Sequence, residues 1–203
     1  MKSICQTDHS KPARSLLNAI CYSEAYRFKT MVTQWGCKHE KLAREYYTKV
    51  LQEEHDDATV KISGLVHCKW PHIAASPDGI VCCSCCGKGT LEIKCPFCHH
   101  GDGIDDIASD AKSCLIKSHY GSISLDKKHA YYYQVQTQIY VCSVDYCDFC
   151  MCTFPSEPEV PNLHIERIFP DDKLWGECVL SATHFFKTCI LPESYIHCCL
   201  LFQ

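Results

Sequence analysis

The chain has no apolar run approaching the length of a membrane-spanning helix, for which about 18 consecutive apolar residues are needed. Residues 1–13 are polar and lack the apolar core of a secretory leader. These two absences set aside a membrane-spanning or secreted protein, and the expectation is an intracellular one, nuclear or cytoplasmic. Positive charge is also scarce. The 20 Lys and Arg are outnumbered by 24 Asp and Glu, for a formal net charge of −4, which argues against a uniformly basic surface coating nucleic acid. That balance still admits a protein whose basic groups line a single groove and whose acidic groups are neutralised by metal. No internal repeat or second domain appears in the sequence. At 203 residues and 46% hydrophobic content, one domain with a substantial core is expected.

Cysteine is the residue in excess. An odd count of 19 without a leader is not a disulfide framework. Cys142, Cys147, Cys150 and Cys152 fall in or beside a strand-like run, where cysteine serves as a small core residue. Cys82-x-x-Cys85, Cys83-x-x-Cys86 and Cys95-x-x-Cys98-His99 do carry metal-ligand spacing. In a hairpin turning near Cys86, however, Cys95 lies on the order of 30 Å from the tip at roughly 3.3 Å per residue. Zn–S bonds are about 2.3 Å, so the base cannot share an ion with the tip. A smaller zinc site confined to Cys82, Cys83, Cys85 and Cys86 is left as the less favoured alternative to burial.

The segment with the most chemistry runs from Ser76-Pro77-Asp78-Gly79 through the cysteine-rich turn to Leu91-Glu92-Ile93-Lys94-Cys95-Pro96. Glu92 and Lys94, two apart on a strand, project to one face. With the turn near Cys86, the antiparallel arm brings Asp78 toward Lys94. Two carboxylates and an ammonium then share a site whose hard oxygens suit Mg²⁺ or Mn²⁺, the minimum equipment for metal-dependent phosphodiester hydrolysis. The carbonyl of Ile93, on the strand between them, offers a further oxygen.

Periodicity predicts a helix over Ser15 to Phe28 and a better supported one over Thr30 to Gln52, with Val32, Trp35, His39, Leu42, Tyr46 and Val50 as its apolar stripe and Glu40 at the edge. Val60 to Cys68 reads as a strand, Cys98 to Ile107 as a loop with Asp102, Asp105 and Asp106 as turn and capping residues, and Lys112 to Lys128 as irregular. Lys112, Lys117, Lys127, Lys128 and His129 could line a substrate channel or form a solvated loop. Ala130 to Cys142 fits both strand alternation and a helical row. Asp145 to Phe154 and Leu163 to Phe169 read as paired strands around a proline-bounded loop. A final helix starts near Asp171 with acidic residues at its positive end and buries Leu174, Cys178, Ala182 and Phe185.

The Pro77-Asp78 and Glu92-Ile93-Lys94 motifs resemble the Pro-Asp…(Asp/Glu)-x-Lys nuclease superfamily, and within it the YqaJ-type viral recombinase branch that includes lambda exonuclease. Trp35-Gly36-Cys37-Lys38-His39-Glu40 resembles that family's first helix, Tyr133-Gln134-Val135-Gln136-Thr137-Gln138 the helix after the catalytic sheet, and His164-Ile165-Glu166-Arg167-Ile168 its late strand. The resemblance runs in family order from about Met31 to about Glu193. It implies a restriction-endonuclease-like α/β (α+β) core, a central mixed sheet flanked by helices, and it decides Ala130 to Cys142 as helix. It divides the chain into an N-terminal helical extension at residues 1–29, a nuclease domain at 30–193 and a divergent tail at 194–203.

The implied activity is a Mg²⁺- or Mn²⁺-dependent exonuclease, 5′→3′ on linear duplex DNA, acting in recombination or repair. Asp78, Glu92 and the Ile93 carbonyl hold the metal and Glu40 completes the site. Lys94 orients or deprotonates water, for which its pKa would have to fall, and Gln134 positions water or substrate. A homotrimer threading DNA and a single-strand annealing protein are the partners the family implies. Family exonucleases also grip the 5′ phosphate with a basic residue on an N-terminal helix, for which Arg14 and Arg27 are candidates. The competing readings are a non-catalytic DNA-binding module that retains the fold, an endonuclease or junction resolvase of the same superfamily, and a zinc-binding regulator.

Overall fold

Runs of β-branched and sulfur-containing residues, with turn signals between them, build a five-stranded mixed sheet. The computed structural model describes residues 1–22, 30–67, 69–155 and 161–195. The chain opens with helices α1 (Lys2–Cys5), α2 (Arg14–Cys21) and α3 (Met31–Glu54), followed by strands β1 (Thr59–Lys61), β2 (Val66–His67), β3 (Ala74–Ala75), β4 (Gly79–Cys83) and β5 (Gly87–Lys94). A 3₁₀ turn (Phe97–His99), α4 (Ile104–Ser109), β6 (Leu115–Lys117), β7 (Ile123–Leu125) and α5 (Ala130–Cys142) come next. The last elements are β8 (Tyr146–Thr153), β9 (Asn162–Ile168) and α6 (Asp172–Phe185), which runs on into a π turn at Phe186–Ile190. The main sheet has the order β1-β4-β5-β8-β9, with β5 and β8 parallel and the other neighbours antiparallel. A parallel pair needs a long crossover, and everything from the 3₁₀ turn to α5 lies in it.

The sheet is covered on both faces. α3 packs Ala43, Tyr47 and Leu51 with Leu91, Ile93, Cys150 and Cys152. α5 packs Val135 and Ile139 with Cys147, Phe149 and Met151. β8 is therefore buried along its whole length, and its cysteines fill the core as small hydrophobes. Gly89 lets Tyr146 lie against β5, since a Cβ there would stand 2.3 Å from the Tyr146 ring.

Thr30 starts α3 with a reciprocal cap: its hydroxyl accepts from the Thr33 N–H at 3.2 Å, and Thr33 Oγ1 accepts from the Thr30 N–H at 3.0 Å. The buried row is His39, Ala43, Tyr47 and Leu51; of the expected stripe His39 is buried and Trp35 packs against the core, but Val32, Leu42, Tyr46 and Val50 are not in the buried row. Val32 is exposed and Leu42 only flanks the core. Small Ala43 and amphipathic Tyr47 outweigh the larger apolar residues because Tyr47 finds a buried acceptor: its hydroxyl donates to Asp148 Oδ2 at 2.6 Å. Arg167 clamps the same carboxylate through two bonds of 2.8 and 2.9 Å.

Other expectations need revision. The predicted strand at Val60 to Cys68 is two short strands in different sheets, β1 beside β4 and β2 beside β3, and Cys68 lies outside the described residues. Cys98 to Ile107 contains the start of α4, with Asp106 accepting from the Gly103 N–H at 3.2 Å. The segment from Lys112 to Lys128 holds the β6–β7 hairpin. Of the first predicted helix, Arg14–Cys21 is helical and residues 23–29 lie outside the described residues. Ala130–Cys142 is a helix, capped by His129 and ended by Ser143 in the left-handed region at φ 53°. α6 starts at the expected place, where Asp171 Oδ1 accepts from the Leu174 N–H at 3.0 Å. Its buried residues include Trp175 as well as Cys178, Ala182 and Phe185, while Leu174 is half-buried.

Candidate active site

Strand alternation puts Glu92 and Lys94 of β5 on the face covered by α5. Glu92 is only 1% exposed, and three side-chain donors converge on it. The Lys94 ammonium and Gln134 Nε2, the latter at 2.6 Å, both reach Oε1. Gln138 Nε2 donates to Oε2 one helical turn further along. Lys94 Nζ also lies 4.5 Å from the centroid of the Tyr131 ring, within cation–π range.

Asp78 stands one residue before β4 and completes its ladder with both backbone and side chain. Its N–H donates to the Leu91 carbonyl at 3.0 Å and its Oδ2 accepts from the Ile93 N–H at 2.6 Å. The register Gly79↔Leu91 to Cys83↔Gly87 centres the turn on Cys85, one residue earlier than the sequence suggested. This moves the residue opposite Asp78 from Lys94 to Glu92. In a strand, a residue's N–H and C=O point to the same neighbouring strand. The Ile93 carbonyl is therefore directed to the side where β4 has not yet begun, leaving it free of a ladder partner from that strand.

Glu40 comes from α3, on the opposite face of the sheet, and its carboxylate pairs with Arg44 one turn later. Glu40, Asp78, Ile93 and Lys94 line one cleft of about 700 Å³, together with Lys112, His129 and Tyr131. Glu92 does not line this cleft but is joined to it through Lys94, and Gln134 and Gln138 line a separate cavity of about 520 Å³.

Burial raises the pKa of Glu40, the negative charge of Asp78 adds to the rise, and Arg44 and Lys94 oppose it. Burial also raises Asp78, against the Ile93 N–H and the charges of Lys94 and Arg44. Glu92 is raised for the same reason, with Lys94 the main opposing charge. For Lys94, burial acts downward, but the attraction and hydrogen bond of Glu92 outweigh it and hold the pKa above the ordinary lysine value. The fall that proton abstraction by Lys94 would require is not what this arrangement gives, and the side chain is a cationic donor. Glu40, Asp78 and Glu92, each made costly to ionise by burial, and an edge carbonyl are hard oxygen donors, the chemistry that Mg²⁺ or Mn²⁺ takes. Their oxygens are not gathered as closely as the ligand atoms at the hairpin tip.

The remaining sequence candidates separate into groups. Lys112 and His129 reach the cleft, whereas Lys117 pairs with Asp105 at 2.5 Å and Lys127 lies 5.8 Å from the Tyr132 ring centroid. Arg14 is engaged by Glu193 at 2.8 Å, and Arg27 lies outside the described residues. At the hairpin tip Cys83, Cys85 and Cys86 come together with His55 in place of Cys82. Cys82 is a strand neighbour of Cys83 and so points to the other face, which removes it from the predicted set.

Four participants were not predicted in these roles: Gln138, Arg44, Tyr131 and His55. Two had a readable signal. Gln134-x-x-x-Gln138 and Glu40-x-x-x-Arg44 are i,i+4 pairs on helices, where one partner already has a role. Tyr131 and His55 owe their positions to tertiary packing.

The model of the YqaJ-like viral recombinase domain matches residues 1–145. The chain belongs to this family. A protein of Acanthamoeba polyphaga mimivirus is 33% identical over 126 residues, which is 58% of this chain and 19% of the viral protein's length. Among solved structures, an alkaline exonuclease from Laribacter hongkongensis superposes with a TM-score of 0.64 at 24% identity, over 97% of this chain and 88% of the other. The same exonuclease in complex with dAMP gives a TM-score of 0.64 at 23% identity, over 96% and 89%. These likenesses show a shared fold.

Proposed function

We propose that this member of the YqaJ-like viral recombinase domain family is a Mg²⁺- or Mn²⁺-dependent deoxyribonuclease, an exonuclease acting from the ends of duplex DNA. The observation that carries this reading is the convergence of Glu40, Asp78 and Lys94 on one cleft, with Lys94 in turn held by the buried Glu92. The family and the exonuclease fold support it. Asp78, Glu92, Glu40 and the Ile93 carbonyl would hold the ion. When bound, the ion supplies Lewis-acid polarisation of phosphate and makes water a better nucleophile.

The rest of the chemistry belongs to the chain. Lys94, held protonated beside Glu92, offers a positive charge to the phosphate as charge builds up in the transition state. Gln134 and Gln138 fix the Glu92 carboxylate from α5 and hold its rotamer. Gln134, half-buried, has a carbonyl oxygen with which to accept from water. Arg44 balances Glu40 from outside. Lys112 and His129, on the cleft wall, are placed for backbone phosphates. The net negative charge of the chain is compatible with this, because cations are needed only along the strand path.

Linear and covalently closed duplex DNA, each with and without Mg²⁺, test the reading. The expected result is metal-dependent loss of linear DNA from its ends, an intact circle, and no loss with Glu92→Ala or Lys94→Ala. Cleavage of the circle would identify an endonuclease, and inert wild-type protein a binding module. Duplexes blocked at either 5′ or 3′ ends assign polarity, and light scattering tests the trimer that the family implies. Co-purification with a single-strand annealing protein tests that partnership.

A further inference from the structure

We infer that His55, Cys83, Cys85 and Cys86 form a structural zinc site joining the end of α3 to the tip of the β4–β5 hairpin. This inference does not depend on nuclease activity. One ligand atom from each of the four lies within 4.8 Å of all the others. His55 Nδ1 is 3.1 Å from Cys85 Sγ and 3.5 Å from Cys86 Sγ. Cys85 Sγ is 3.6 Å from Cys83 Sγ and 3.7 Å from Cys86 Sγ. A tetrahedral zinc with Zn–S of about 2.3 Å and Zn–N of about 2.05 Å separates its sulfurs by about 3.8 Å and each sulfur from nitrogen by about 3.6 Å. Of the six separations, three lie within about 0.2 Å of those values, the His55–Cys85 distance needs an outward shift of an exposed cysteine, and the remaining two are within 4.8 Å. The same sulfurs are too far apart for disulfides, whose S–S bond is about 2.05 Å.

Local structure prepares the ligands without help from a metal. His55 leaves α3 in an extended conformation, φ −134° and ψ 136°, with its N–H still on the Leu51 carbonyl at 2.9 Å. That break turns its ring out of the helix and toward the tip. The tip is tied to the turn after α3: Ser84 N–H donates to the Asp56 carbonyl, and Ser84 Oγ to Asp57 Oδ2, both at 3.1 Å. Gly87 takes a φ of +79°, which lets the chain double back within three residues of Cys83. The Cys86 N–H donates to Cys83 Sγ at 3.3 Å, an outer bond of the kind that steadies a thiolate ligand. Three sulfurs and an imidazole are the soft donor set that favours zinc over Mg²⁺.

The span of the two elements explains why the site sits here. Glu40 and His55 are 15 residues apart on α3, about 22 Å at 1.5 Å per residue. Asp78 and Cys85 are seven apart on the hairpin arm, about 23 Å. Helix and hairpin therefore meet at both ends, and an ion at the tip fixes the alignment on which the distant carboxylate cluster relies.

Zinc content of the full chain, purified under reducing conditions without chelator, tests the inference. Wild-type protein and Cys82→Ser are expected to carry near-stoichiometric zinc, while His55→Ala and the Cys85→Ser/Cys86→Ser double variant lose most of it. Cobalt exchanged into wild-type protein should give the intense visible absorption of a tetrahedral thiolate site. Circular dichroism checks that the variants fold, but the wild-type result stands without them. Zinc well below stoichiometry in the wild type, zinc that survives the tip substitutions, or a disulfide among these cysteines by mass spectrometry would each overturn it.

Discussion

The two ends of the β4–β5 hairpin are built from the same two strands and face the same helix, yet their chemistry is opposite. At the base, two carboxylates and an ammonium open onto a cleft, and a third, buried carboxylate is held by that ammonium and an amide pair. At the tip, three thiols and an imidazole close on one another. α3 supplies a residue to each, Glu40 below and His55 above. The difference separates labour. On the proposed readings the open, oxygen-rich end exchanges ions and admits substrate, whereas the sulfur-rich end holds shape. Midway, Tyr47, Asp148 and Arg167 make a third connection between helix and sheet. Damage at the base should therefore affect rate, damage at the tip alignment, and damage in the middle stability.

The largest effect is expected at the base. Lys94→Ala should lower duplex hydrolysis roughly 10²–10⁴-fold, the range for losing a positioned proton-transfer or charged group, and Glu92→Ala should remove it. Both variants should keep their tip zinc. Nuclease rates read beside metal analysis check this, and loss of zinc from Glu92→Ala would mean that the tip relies on the base, the reverse of the dependence inferred.

The middle comes next. Asp148 is 1% exposed and holds Arg167 by two bonds while accepting from Tyr47. Asp148→Asn leaves the guanidinium without its counter-charge, so a loss of about 3 kcal/mol is expected. Urea denaturation measures it. A change confined to activity, with stability intact, would mean that the network serves the cleft instead.

The sequence read the two ends unequally, for a physical reason. Base residues follow short-range rules: a two-residue strand period, a Pro-Asp step and an apolar run each constrain a few neighbours. Family resemblance brought in Glu40 and Gln134 from a distance. The tip depends on a one-residue register and on a helix exit. A turn centred on Cys85 instead of Cys86 redirects Asp78, and alternation within β4 sends Cys82 away from Cys83. His55 had no local signal, since its role arises only where α3 ends against the hairpin. The same limit explains the part of the α3 stripe beyond Trp35 and His39 that was misplaced. Apolar counting ranks Leu42 and Val50 above Ala43 and Tyr47, but close approach to the sheet and a buried acceptor at Asp148 reverse that order. Short β6 and β7 were missed because three-residue strands carry too little periodicity to stand out.

A moderate effect should come from the glutamines. Gln134 and Gln138 each give one hydrogen bond to a single buried carboxylate, and bonds to charged groups contribute about 1.5–3 kcal/mol. Gln138→Leu should thus cost roughly ten- to 100-fold in rate at saturating Mg²⁺ if the bond is needed in the transition state. If instead Gln138 only positions Glu92 for the ion, the loss should shrink as Mg²⁺ is raised. A Mg²⁺ titration of the variant distinguishes the two. A Gln138→Leu protein as active as wild type at every concentration would deny it any part in the site.

The smallest effect is the most pointed, because it concerns neighbouring cysteines of the same type. Cys82 and Cys83 are adjacent on β4, and only Cys83 joins the cluster with His55. Cys82 sits between Thr59 and Lys88 across the sheet and contributes no ligand. Cys82→Ser exchanges a half-buried thiol for a hydroxyl on the outer face and should leave zinc, rate and midpoint close to wild type, within the roughly 0.5 kcal/mol usual for such sites. Cys83→Ser, one residue on, should lose the ion and lower the thermal midpoint, since a structural ion's binding energy is part of the folding energy. Paired melting curves and zinc assays compare them directly. Equal behaviour of the two variants would mean that strand alternation does not select the ligands, and the distinction between an open and a closed end of the hairpin would lose its basis.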